Sequence, residues 1–91
     1  MTVRILKYPL EIADEQELFI PQNSKCVLLA VQTGKLCLWL EVQDDKPKYP
    51  HTIRLIGTGY PIEDLTDYDH VGSVIMLPFV WHAYLGKYNG Q

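Results

Sequence analysis

The sequence predicts an all-β domain: about seven short strands in a sandwich or partly open barrel, with at most one or two single turns of helix. Three observations lead there. Seven β-rich runs recur between turn residues. All six prolines fall at or outside the ends of those runs, where a missing N–H removes no ladder bond. Thr33-Gly34 separates two apolar runs as a two-residue hairpin turn.

In chain order, Val3 to Tyr8 stops at Pro9, and Gln16 to Ile20 stops at Pro21. Lys25 to Gln32 and Lys35 to Gln43 form the hairpin. Gln43 to Pro50, with Asp44-Asp45 and two prolines, reads as a solvated loop leading into the run His51 to Gly57. Thr58 to Asp69 has no strand pattern, and a connection of that length in a compact β domain is often functional. His70 to Leu77 and Phe79 to Leu85 follow, divided by Pro78. The candidate helical turns are Ala13 to Leu18, capped by Asp14, and Ile62 to Tyr68.

The hairpin has no polar face. Its turn pairs Gln32 with Lys35, and therefore Val31 with Leu36, Leu29 with Leu38 and Val27 with Leu40 on an aliphatic core side. The other side pairs Ala30 with Cys37 and Leu28 with Trp39, with Cys26 alongside and opposite Glu41. Covering that second side calls for a packed second sheet, another copy of the chain or a ligand.

Composition bounds the rest. The 91 residues make a single β domain, 1–91, and at this size only about 60 to 65% of the chain's surface can be buried, so self-association would add useful stability. An apolar content of 47% excludes a disordered tail, and a net charge of −3 excludes a nucleic-acid-coating surface while being too mild for a DNA mimic. Cys26 and Cys37 lie four pairing steps apart on the hairpin, beyond disulfide reach, so both are expected reduced. The longest apolar run, Val74 to Trp81, is broken by Pro78 and too short to span a bilayer, and no secretory leader is apparent, so a cytoplasmic location is expected, without membrane contact.

Candidate ligand-binding residues concentrate around Gly57-Thr58-Gly59-Tyr60-Pro61. Two glycines flanking a hydroxyl allow backbone N–H groups to approach an anion, Thr58 adds an O–H donor, and Arg54 supplies a cation three residues upstream. A plain turn before a rigid proline explains the same string, which lacks the Lys-Ser pair of a Walker loop. Lys7 and Tyr8 place a cation beside an aromatic ring, suited to a phosphate and a base, although strand ends carry such pairs routinely. Trp39 is the candidate wall of a pocket or interface, whereas Trp81 reads as core. His82 is placed to hydrogen-bond a ligand. His51, His70 and His82 have no metal-ligand spacing, so no metal and no cofactor are expected. Ser24 and Ser73 lie outside any nucleophile-elbow pattern and the carboxylates cluster in polar loops, so no enzymatic activity is expected.

Five ordered blocks carry a resemblance: Lys7-Tyr8-Pro9-Leu10 with Asp14-Glu15-Gln16, then Leu36-Cys37-Leu38-Trp39, Gly57-Thr58-Gly59-Tyr60-Pro61-Ile62 and Val80-Trp81-His82. From Arg4 to Gly86 the chain resembles an uncharacterised family of short phage and prophage proteins. The family position of Tyr60 is often histidine, a departure that speaks against proton transfer there. The resemblance implies a setting in the host-cell cytoplasm and action against the host's defences. Expected function is therefore non-enzymatic: a homo-oligomeric sponge that sequesters a nucleotide-derived immune messenger through Arg54, Thr58, Gly59, Tyr60, Lys7, Tyr8, Trp39 and His82. The alternative is an anti-CRISPR-like inhibitor that binds a host protein.

Overall fold

The computed structural model describes residues 2–87. Seven strands run in the order β1 (Val3–Pro9), β2 (Glu15–Pro21), β3 (Lys25–Gln32), β4 (Lys35–Gln43), β5 (Lys48–Gly57), β6 (Tyr68–Met76) and β7 (Phe79–Gly86). They form two antiparallel sheets, a three-stranded sheet β1-β4-β3 and a four-stranded sheet β2-β5-β7-β6. The sheets pack as a sandwich and do not close into a barrel. No helix is present among the described residues. Both expected helical turns are therefore absent. Glu15 to Leu18 instead pairs with β5, its alternation of Leu18 and Ile20 matching a sheet face, and Ile62 to Asp67 is extended loop and turn.

β4 is the centre of the smaller sheet, and its alternation decides the packing. Leu36, Leu38, Leu40 and Val42 point inward and are essentially fully buried. They meet Ile20, Ile53, Leu55, Ala83 and Leu85 of the larger sheet in one continuous core, to which Leu10 is added by its N–H bond to the Leu36 carbonyl. The second sheet thus covers the Leu29–Leu38 side of the hairpin. The Leu28–Trp39 side faces away, with Leu28 49% exposed. Part of that outer side is sheltered by Lys7, whose Nζ donates to Gln32 Oε1 at 2.8 Å. Their registers place this link across the row Pro9, Cys37 and Ala30, and Cys37 is buried beneath it.

The hairpin turn forms as expected, with Thr33 at φ 53° and Gly34 at φ 77°, the two positive angles of a type I′ turn. Pairing holds from Gln32–Lys35 to Leu28–Trp39 and then shifts at a β-bulge, where Val27 is the extra residue. The expected pairing of Val27 with Leu40 and of Cys26 with Glu41 is therefore overturned. Cys26 pairs with Leu40 and turns to the core side, while Val27 is 48% exposed. An unpaired residue flips the parity of all that precede it, which a straight two-residue periodicity does not anticipate. Both cysteines are free thiols.

The bulge has a counterpart in β6 between His70 and Gly72, and β3 and β6 close one side of the sandwich there. Cys26 Sγ donates to the Val71 carbonyl at 3.4 Å, and burial pushes its thiol pKa up. A Cβ on Gly72 would come within 3.1 Å of Leu29 Cβ. β5 begins earlier than the sequence suggests, so Pro50 lies inside a strand rather than outside one. The strand tolerates it because β7 joins β5 only from Ile53, leaving β5 a neighbour on one side at Pro50.

Two outcomes test this architecture. Leu38→Ala is expected to cost about 2–5 kcal/mol in chemical denaturation and Leu28→Ala no more than about 0.5 kcal/mol, although the two residues are neighbours in β-pairing. Thr33 is β-branched in a left-handed conformation, so Thr33→Asn is expected to stabilise the hairpin by about 0.5–1 kcal/mol in the same measurement.

Candidate functional site

Inward-facing Trp81, Ala83 and Leu85 send His82 and Tyr84 outward on β7, and the flanking strands follow suit. The outer face of the larger sheet therefore carries two side-chain rows. One is Ser73, His82 and Ile56. The next is His70, Tyr84, Arg54 and Glu15.

Ser73, His82 and His70 of these rows are joined. Ser73 Oγ lies 2.7 Å from His82 Nδ1 and 3.0 Å from His70 Nε2. His82 Nε2 lies 2.7 Å from Thr58 Oγ1, and the His70 ring leans against Tyr84 with centroids 5.2 Å apart. With its proton on Nε2, neutral His82 donates to Thr58 and accepts from Ser73. Thr58 reaches this position because its N–H donates to the Val80 carbonyl, extending the β5–β7 ladder past Gly57.

Arg54 stands apart from this chain. Of the two arginines, Arg4 pairs with Asp44, whereas Arg54 has no ion pair among the described residues despite lying opposite Glu15 in register. Its buried Nε has no hydrogen-bond partner. Arg54 borders a groove of about 780 Å³, within the usual range for small-molecule sites. β2 begins at Glu15, and after one further bond, from Leu55 N–H to the Asp14 carbonyl, β5 has no paired neighbour on that side, which opens the groove. Asp14 and Glu15 form one bank, Tyr60 and Pro61 the other, with Leu55 to Gly57 and Trp81 between. The turn after β5 sets the second bank: Tyr60 N–H donates to the Gly57 carbonyl, and Gly59 takes φ 92°. The Tyr60 ring fills the space a side chain on Gly57 would take, since a Cβ there would sit 2.8 Å from it.

The sequence-predicted residues are thus divided. Arg54, Thr58, Gly59, Tyr60 and His82 gather at one end of the larger sheet. Lys7 and Trp39 pair on the outer face of the smaller sheet, across the sandwich from them. Tyr8 is on neither outer face: it packs against the core, and burial raises its phenol pKa. A strand's alternation separates Lys7 from Tyr8 even though they are adjacent in sequence. Trp81 packs on the core with Phe79 5.4 Å away, as its position in an apolar run suggests. Ser73, His70, Tyr84, Asp14 and Glu15 were not legible as site residues. They belong to β2, the bend before it, β6 and β7, and only the cross-strand register of Ser73 with His82 and of Glu15 with Arg54 carries the signal. Among the described residues no three His, Cys, Asp or Glu side chains group to hold a metal, and no helix is long and apolar enough to cross a membrane.

An open-ended β-sandwich with an arginine-bordered groove defines a small all-β domain with a candidate ligand site. The chain belongs to a family described as a domain of unknown function (DUF7352), which it matches over residues 1–91. No match is found among curated proteins or among solved structures.

One substitution probes the groove directly. Gly57→Ala is expected to expel the Tyr60 ring at a cost of about 1 kcal/mol, because that ring is exposed and free to move. Changed Tyr60 resonances in an otherwise preserved NMR spectrum would mark this outcome.

Proposed function

We propose that this protein binds a nucleotide-derived ligand in the Arg54 groove and acts by sequestering it. The observation that carries this reading is the part-buried Arg54, whose Nε has no hydrogen-bond partner, at the border of a groove that Tyr60 and Trp81 also line. A buried donor without an acceptor is costly, and a phosphate oxygen satisfies it with a charge-assisted bond. Tyr60 and Trp81 offer surfaces for a base, while Asp14 and Glu15 accept hydrogen bonds from sugar hydroxyls or an exocyclic amine. Two phosphates need more donors than one groove supplies. In this reading a second copy brings Lys7 and Trp39 of its own outer face to the same ligand, so the working form is a homo-oligomer. The setting is counter-defence by a phage in the host cytoplasm, with an immune messenger as the ligand and no turnover.

A second reading, inhibition of a host protein by surface binding, is favoured by one feature. The β6–β7 tip exposes Ile75, Leu77 and Phe79, with Leu77 89% exposed, and the nearby loop adds Tyr60 and Ile62 beside Glu63 and Asp64. Apolar area of that kind on a small protein marks an interaction surface.

Calorimetry with mono-, di- and cyclic dinucleotides separates the two. The sequestration reading expects saturable binding that Arg54→Ala weakens about 10- to 100-fold without loss of fold. Absence of heat with every nucleotide, or affinity unchanged in Arg54→Ala, counts against it.

A further inference from the structure

Ser73 has the surroundings of a reactive nucleophile, and this is independent of the ligand held at Arg54. A serine hydroxyl is a weak nucleophile alone, and becomes a strong one when a base accepts its proton and a third group holds that base in place. Each of these parts is here. His82 Nδ1 is 2.7 Å from Ser73 Oγ, within proton-transfer reach, and His82 Nε2 is held at 2.7 Å by Thr58 Oγ1. That second bond puts the imidazole proton on Nε2 when His82 donates to Thr58, leaving Nδ1 as the acceptor facing the serine. His70 Nε2 lies 3.0 Å from the same oxygen, and in the tautomer with its proton on Nε2 it donates there and leaves the Ser73 O–H directed at His82.

The fold fixes this geometry. Ser73 and His82 are direct cross-strand partners in β6 and β7, Thr58 is held by its N–H bond to Val80, and the His70 ring rests on Tyr84. The bulge at Val71 sets His70 and Ser73, three residues apart, on one face, where strict alternation would put them on opposite ones. Ser73 is exposed, so an electrophile in solution can reach it.

We infer that Ser73 is a nucleophile activated by His82, with Thr58 as the positioning residue, and that it attacks activated acyl or phosphonyl groups. With an activated carboxylic ester, a bond forms from Ser73 Oγ to the acyl carbon. The serine proton passes to His82 Nδ1, the ester C–O bond breaks, and the leaving alkoxide takes that proton. With a fluorophosphonate, the Oγ–P bond replaces P–F, the serine proton passes to His82 Nδ1 and on to solvent, and fluoride departs, giving a stable adduct. Neither step needs an oxidant, reductant or cofactor.

The test treats the full chain with a fluorophosphonate probe in mildly alkaline buffer and reads adducts by intact mass and peptide mapping. Expected is one adduct per chain, on Ser73, that is absent in Ser73→Ala and retained in Ser24→Ala. His82→Gln is expected to slow labelling on the order of 10²-fold, and Thr58→Val to slow it less while shifting the pH profile of labelling. Circular dichroism identical to that of the parent chain confirms that each variant is folded; a misfolded His82→Gln is replaced by His82→Asn for the same reading. No adduct, an adduct that persists in Ser73→Ala, or a labelling rate unchanged in the folded His82 variant overturns the inference.

Discussion

The inward face of β7 holds the rest of the molecule in place. Ala83 and Leu85 are buried against β4's Leu36, Leu38 and Leu40, and burial of this kind is worth roughly 25 cal/mol per Å² of apolar surface removed from water. Because side chains alternate strictly along a strand, fixing those residues inward fixes His82 and Tyr84 outward. A slip of one residue would bury an imidazole and a phenol while exposing the core. The polar outer face is therefore held in register by apolar contacts on the far side of the same strand.

A second constraint is how so small a chain closes its edges. β3 and β6 each carry a bulge and meet at Cys26 and Val71, so the sandwich is shut on that side. No contact joins β1 to β2 across the opposite side. The connection there is instead tied locally: Glu11 and Gln16 exchange two hydrogen bonds, and Lys35 pairs with Glu11. Pairing of β2 starts only at Glu15, so past the bond from Leu55 N–H to the Asp14 carbonyl β5 is free on that side, and that gap is the groove. A shortfall in strand pairing and the presence of a concave site are thus one structural fact.

Site and scaffold share few residues. Arg54, His70, Ser73 and His82 contribute little to the core, so substitutions there should be read as tests of chemistry, whereas substitutions in β4 test the fold. Gly57 and Trp81 are the exceptions, serving both as packing and as groove surface.

By itself the sequence determined the strands, their approximate ends, the Thr33-Gly34 turn and the apolar face of β4, because these depend on local periodicity and turn chemistry. It also pointed to Arg54, Thr58 and Tyr60 through a glycine-flanked string after a strand. It did not reveal the bulge at Val27, the start of β5 before Pro50, or the absence of helix at Ala13 to Leu18, where pairing partners overrode local preference. Nor did it join Ser73 to His82 or separate Tyr8 from Lys7. Those relations depend on which strands lie side by side and in what register, and burial of the two sheets against each other is what decides that.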